Sequence, residues 1–300
     1  MLKIAYHEIF QHPLPEGHRF PMLKYELIPK QLLHEGIITE TNLFEPGIIS
    51  EEDILLTHDS GYWNRMKHLK LTASEMRKIG FPLSAQLVER EQRIAQGSIE
   101  CVEYALQYGV AMNVAGGTHH AFSDKGEGFC LLNDFGIATN YLLERKKIER
   151  ILIIDLDVHQ GNGTASLFTD EPRVFTLSMH GKDNYPFFKE HSSLDIELHN
   201  GIRDDAYLQL MKQHIPKIIG EFKPQFIFYL SGVDILETDK YGKLNVSPEG
   251  CMERDRLVFN WCRKDNIPVV AAMGGGYSPK ISDIVNAHCN TFKLASEIFF

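Results

Sequence analysis

The sequence predicts an α/β protein built on a mainly parallel sheet, and three observations predict it. Short apolar runs alternate with longer amphipathic stretches along the 300 residues, the pattern of repeated strand–helix units. Several runs, such as Ile151-Leu152-Ile153-Ile154, are continuously apolar, as expected of strands buried on both faces. Four runs lead straight into glycine and polar side chains, the way strands of an open parallel sheet deliver residues to a ligand crevice.

Taken in order, the runs at 2–6, 111–115, 151–157, 173–179, 225–231 and 268–273 read as strands. Stretches near 133–146, 204–221, 248–264 and 279–297 read as helices. Asn133 or Asp134 is expected to cap the first, and Asp204 or Asp205 the second. Ser247-Pro248 supplies a cap and a first-turn proline for the third. Pro216 is expected to kink or interrupt the second helix. Residues 8–100 are richer in loops and helical pieces, and Glu89-Arg90-Glu91-Gln92-Arg93 reads as a solvated helix face.

At 43% apolar and 24% charged residues, the composition is that of an ordinary soluble globular chain with ample core material. No linker, repeat or low-complexity segment divides it, so the expectation is a single domain over 1–300. No apolar run approaches the roughly 20 residues that span a bilayer. The N-terminus has no long apolar stretch of a secretory signal. Five widely spaced cysteines without a CxxC pair argue against a disulfide framework or a thiolate zinc site and suit a reducing, cytoplasmic location. The net charge of −9 disfavours nonspecific nucleic-acid binding and is compatible with a cationic substrate. The expected partners are therefore neither nucleic acid nor membrane, and the oligomeric state is left open.

The chemistry concentrates at strand ends. Asp155, Asp157 and His159 follow the apolar run 151–154 at alternate positions, which in an extended chain puts them on one side. Burying two carboxylates and an imidazole is costly without compensation, and a metal ion supplies it. With Asp234 from another strand end, Asp157 and His159 make three protein ligands and leave positions for water or substrate, the layout of a catalytic zinc site. The same donors admit iron(II), cobalt or manganese. Taken singly, Asp157 reads more readily as a helix or turn cap and His159 as a satisfied structural histidine; it is the set that points to metal.

One of His119 and His120 can serve as general base beside a metal-bound water, its partner oriented by a carboxylate, for which Asp155 is the candidate. Tyr277 follows three glycines, which permit close backbone approach, and its phenol can donate to a developing oxyanion; the alternative is a mobile loop with a rim tyrosine. Phe129, after Gly128, and the segment Tyr185-Pro186-Phe187-Phe188 could wall a tunnel for an extended substrate, although ordinary packing is the commoner fate of such aromatics. Cys130 has no basic neighbour in sequence to activate it and reads as packing.

Read together, these stretches resemble the histone deacetylase superfamily, which includes acetylpolyamine amidohydrolases and acetoin-utilisation proteins. The resemblance rests on Gly116-Gly117-Thr118-His119-His120-Ala121, Gly128-Phe129-Cys130-Leu131-Leu132-Asn133-Asp134, Asp155 through Gly163, Ser231-Gly232-Val233-Asp234 and Gly274-Gly275-Gly276-Tyr277. The motifs keep the family's order over 116–277, with weaker likeness at His18 to Met22 and Thr57 to Asp59. The resemblance implies an arginase-like, three-layer α/β/α fold with a mainly parallel eight-stranded sheet. It implies a metal-dependent deacetylase with zinc on Asp157, His159 and Asp234. His120 would be general base and acid, with His119, held by Asp155, as its electrostatic partner, and Tyr277 would polarise the acyl carbonyl. Gly128, Phe129, Gly275 and either Phe187 or Phe188 would border the substrate, an acetylated lysine in a protein or peptide or an acetylated polyamine. It further implies a potassium ion near Asp155, Asp157, His159 and Ser178.

One departure stands out. Many members carry an Asp where this chain has Asn162, and the string His159-Gln160-Gly161-Asn162-Gly163 is similar to the class IV branch. An amide stabilises an imidazolium less than a carboxylate does, so His120 is expected to have a lower pKa than it would beside Asp. A same-fold rival, an arginase-like ureohydrolase, would need further carboxylates for a second metal, and position 161 is Gly161 rather than Asp. A rival of another class, a metal-retaining binding protein without turnover, would be expected to have lost one of these groups, and all are present.

Overall fold

The computed structural model describes residues 1–300. Eight strands, β1 (Lys3–Ala5), β2 (Leu43–Phe44), β3 (Val110–Asn113), β4 (Ile151–Asp155), β5 (Val174–Gly181), β6 (Leu194–Leu198), β7 (Phe226–Leu230) and β8 (Val269–Ala272), form one sheet. Its order is β2-β1-β3-β8-β7-β4-β5-β6, and every pairing is parallel. Each run expected as a strand is one. The continuously apolar ones lie at the centre, where β3, β4, β7 and β8 are buried at every position.

The two strands not foreseen belong to the edges. β2 is two residues long, too short to leave a periodic signal. β6, Leu194-Asp195-Ile196-Glu197-Leu198, alternates apolar and charged residues as a half-covered edge strand does.

The helices are α1 (Lys24–His34), α2 (Glu51–Ile54), α3 (Ser60–Lys67), α4 (Ala73–Ile79), α5 (Ala85–Tyr108), α6 (Asp134–Tyr141), α7 (Asn162–Leu167), α8 (Asp204–Phe222), α9 (Pro248–Lys264) and α10 (Ile281–Phe299). They cover both faces, as neighbouring residues of β7 show. Phe228 meets Phe135 of α6 with ring centroids 4.8 Å apart. Tyr229 points the other way, its hydroxyl donating to Asp255 of α9. One hydrophobic cluster of 82 buried residues runs through all layers. No helix is long and apolar enough to cross a membrane.

Local details correct three expectations. Asn133 does cap α6, accepting from the Gly136 N–H at 2.8 Å. Asp204 and Asp205, however, do not cap α8, whose cap position is Arg203. The Asp204 carboxylate instead accepts from the backbone N–H (2.8 Å) and hydroxyl (2.5 Å) of Ser247, pinning the start of α9. Pro216 does not interrupt α8. It lies on the exposed face, as does Lys212 one turn earlier, so the carbonyl it leaves without a partner is turned towards solvent. Arg90 and Glu91 are not a solvated face: they are 2% and 1% exposed. They pair with each other, and Arg90 Nε donates to the Phe10 carbonyl at 2.8 Å.

Candidate active site

The ends of β3, β8, β7 and β4 are neighbours in the sheet, so the four segments that follow them meet at one edge. After β3 the chain turns sharply through Gly116 and Gly117 (φ +87° and +70°), and a Cβ on Gly116 would collide with the Asp134 carboxylate. That carboxylate takes the N–H (2.9 Å) and hydroxyl (2.7 Å) of Thr118 and the hydroxyl of Ser98 (2.6 Å). Thr118 is thereby fixed, and the next two residues are turned into the crevice with ring centroids 4.1 Å apart.

His119 Nδ1 lies 2.7 Å from Asp155 Oδ2, and His120 Nδ1 lies 2.6 Å from Asn162 Oδ1. Both oxygens accept, so each Nδ1 carries the proton, and in the neutral ring Nε2 is left as a base. The two rings differ electrostatically. Burial opposes a charge on His119, but the Asp155 carboxylate outweighs it and raises its pKa. Burial drives His120 well below the usual imidazole value, helped by the neighbouring charges of His119 and His159, and the Asn162 amide only partly offsets this.

The regular strand β4 ends at Asp155, so strand alternation does not place Asp157 and His159. A turn does: Asp155 Oδ1 accepts from the Asp157 N–H (3.1 Å), and Asp157 Oδ1 accepts from the His159 N–H (2.9 Å). Asp234 arrives from the β7 end, its Oδ1 accepting from the Val158 N–H at 2.9 Å. His159 Nδ1 then faces Asp157 Oδ1 at 3.0 Å and Asp234 Oδ2 at 3.1 Å. One ligand atom from each of the three residues lies within 4.8 Å of the others. Burial, followed by the charge of Asp157, pushes the Asp234 carboxyl up to about 7. Burial opposes charge on His159 too, yet its hydrogen bonds to both carboxylates raise it to about 10. Two buried carboxylates and one imidazole converging on one point fit a divalent ion with mixed oxygen and nitrogen ligands. The β8 loop closes over them: the Gly275 N–H donates to Asp157 Oδ2 at 2.7 Å, and a Cβ there would collide with Asp234.

Tyr277 follows on the same loop, its backbone N–H donating to Asp239 Oδ2 at 2.6 Å and its ring centroid 6.3 Å from that of His159. Burial pushes its phenol well up, so it keeps its proton. Phe129 stands 6.3 Å from Tyr277, centroid to centroid. It is fixed by its own N–H to the Ile79 carbonyl (2.7 Å) and that of Gly128 to the Lys78 carbonyl (3.0 Å). The wall opposite is neither Phe187 nor Phe188, which are 90% and 93% exposed. It is Tyr185, whose ring meets His120 edge-on at 5.0 Å and whose hydroxyl donates to Glu127. Lys189 Nζ binds the carbonyls of Asn184 (2.7 Å) and Pro186 (2.5 Å), curling the segment so that the residues after Pro186 face outward.

Comparison with known proteins decides the family. The histone deacetylase domain matches residues 18–292. Histone deacetylase 2 of Arabidopsis thaliana is 32% identical over 278 residues, covering 89% of this chain and 72% of its own. The chain belongs to the histone deacetylase family. An uncharacterised protein of a Picosynechococcus strain is 41% identical over 99% of both chains. The fold is that of a crystallised deacetylase homologue in complex with SAHA (TM-score 0.85, 24% identity, 99% of this chain and 84% of that one). A homologue from Aquifex aeolicus superposes with a TM-score of 0.84 at 24% identity, covering 98% of this chain and 84% of its own. The sheet and its flanking helices are thus arginase-like, and the protein is a hydrolase of the deacetylase kind.

Several groups around this deacetylase site were not legible in its sequence. Lys24, at the start of α1, is fully buried and donates from Nζ to the Gly274 carbonyl at 2.8 Å, and burial lowers it to about 8. Its signal was its place on the apolar stripe with Ile28 and Leu32. Asp239 gave no sequence signal, whereas Tyr185 lay in the segment 185–188 expected to wall the tunnel without being singled out within it. Asp134 did occur in a family motif, but it fixes the His119–His120 loop rather than capping a helix. Ser178 spends its hydroxyl on His180 Nδ1 at 2.9 Å. All five cysteines are free and buried, and burial raises the Cys130 thiol well above its usual value, so it is no nucleophile.

Proposed function

We propose that the chain is a zinc-dependent amidohydrolase that removes acetyl or other acyl groups from lysine or lysine-like amines, acting as a single catalytic unit in the cytoplasm. The observation that carries this reading is the convergence of Asp157, His159 and Asp234 within 4.8 Å beside the basic Nε2 of His120. Zinc, or iron(II) or cobalt in its place, would lower the pKa of a bound water and polarise the acyl oxygen. His120 removes the proton of the attacking water at Nε2 and delivers it to the departing amine. His119, paired with Asp155, supplies a nearby positive charge that keeps His120 ready to release that proton. Tyr277 donates to the oxyanion. Phe129 and Tyr185 flank the alkyl chain, Gly128 keeps the wall close to His120, and Gly275 holds Asp157 in place. A potassium ion near Asp155, Asp157, His159 and Ser178 belongs to the same proposal.

The test is acetate release from acetyl-lysine peptides, an acetylated polyamine and longer acyl-lysines, with metal content measured on the same sample. Near one zinc per chain with acetate release supports the reading. Two manganese ions and urea formation from a guanidino substrate would replace it with the ureohydrolase reading. Zinc retention without release from any substrate would leave a binding protein.

A further inference from the structure

In front of the tunnel lies a vestibule of about 320 Å³ bordered by Phe129, Tyr185, Phe187 and Tyr241. Its charged lining is lopsided: Arg19, Lys78 and Lys243 stand against one carboxylate, Asp183. All three cations are exposed, and none is in an ion pair. Arg19 lays its guanidinium 4.9 Å from the Phe129 ring centroid and 5.9 Å from that of Tyr241. Lys243 Nζ donates to the Asp183 backbone carbonyl at 2.7 Å, while the Asp183 carboxylate accepts from Asn200 at 2.9 Å. Some exposed cations elsewhere have a carboxylate partner, as in Lys30–Glu26, Lys67–Glu51 and Arg145–Glu52, whereas Arg19, Lys78 and Lys243, gathered at one opening, have none. On a chain with 40 acidic and 31 basic residues, an unneutralised cationic mouth is a local reversal of sign. The backbone beneath it is held: the Lys78 carbonyl accepts from the Gly128 N–H at 3.0 Å, and Lys189 ties down the segment carrying Phe187.

We propose that this mouth selects acyl-lysine set in an acidic polypeptide segment. Carboxylates flanking the acylated residue meet Arg19, Lys78 and Lys243, and an apolar neighbour covers Phe187. The inference rests on the deacetylase reading and narrows its substrate class. An acetylated polyamine, which carries its remaining charge as ammonium, meets like charge at the mouth. The overall acidity of the chain, taken alone, pointed the other way, towards a cationic substrate.

The metal-loaded enzyme is assayed at low ionic strength for kcat/KM on three peptides with a central acetyl-lysine, flanked by Asp/Glu, by Ser/Gly or by Lys/Arg, and on an acetylated spermidine. Exposed pairs acting together predict that the acidic peptide exceeds the basic one by about tenfold. The ratio should shrink towards parity near 1 M salt, where the screening length is only about 3 Å. In Lys78→Glu/Lys243→Glu the ratio should invert. Equal values for the three peptides, or the highest value for the basic peptide or the spermidine, overturn the inference while leaving the deacetylase reading intact. No acetate from any of the four overturns both. A preference that persists unchanged in the double variant also overturns the assignment to these residues.

Discussion

On the proposed mechanism, Asn162 sets the basicity of His120. Its amide oxygen accepts from His120 Nδ1 at 2.6 Å and so fixes the tautomer, but it brings no charge. A carboxylate there would favour the imidazolium, raising the pKa of His120. The expected outcome for Asn162→Asp is an acidic limb of the pH–kcat/KM profile that moves to higher pH, because His120 then loses its proton later; an unmoved limb would show that Asn162 does not tune it. Tyr277→Phe removes one oxyanion donor and should lower kcat by about 10²–10³ with an unchanged melting temperature. The convergence of Asp157, His159 and Asp234 was legible as a set, although each residue alone had an ordinary structural reading. Phe187 lies out at the vestibule rather than in the tunnel, and Phe188 is exposed, because side-chain direction after Pro186 depends on two backbone carbonyls bound by Lys189, which no residue pattern announces.

The elements repeat that division. Central strands carry uninterrupted apolar runs and declared themselves, whereas β2 and β6 are edges with little to bury. The Glu89-to-Arg93 run misled because charge usually means solvent, yet α5 buries Arg90 and Glu91 as a neutralised pair. In α8 the exposed Pro216 leaves a carbonyl to water. Pro216→Ala should restore that hydrogen bond and raise unfolding free energy by about 1–2 kcal/mol, the helix gain being partly offset by a more flexible unfolded chain. A lower urea midpoint would refute this. Ser247→Ala removes the acceptor for the Gly250 N–H and one of the two Ser247 donors to the Asp204 carboxylate, and should cost about 1–2 kcal/mol in the same measurement.

At the scale of the whole molecule, a metal at the proposed site would settle its buried charge. Without it, Asp234 holds a proton up to about pH 7 and His159 up to about pH 10. Metal must displace those protons, so affinity should fall as pH drops, by roughly tenfold per unit for each proton displaced. Equilibrium dialysis followed by elemental analysis checks this, and a flat profile between pH 5 and about 8 would contradict it. That four strand ends share one crevice could be read from their glycine-rich endings, but their lateral order could not, since it depends on pairing between distant segments. That order has a consequence for truncation. β8, from residues 269–272, is inserted between β3 and β7, so the sheet that sets the histidine loop beside the Asp234 loop closes only with a strand late in the sequence. A fragment ending before Val269 therefore lacks the strand that bridges β3 and β7, and should not hold the two loops in register.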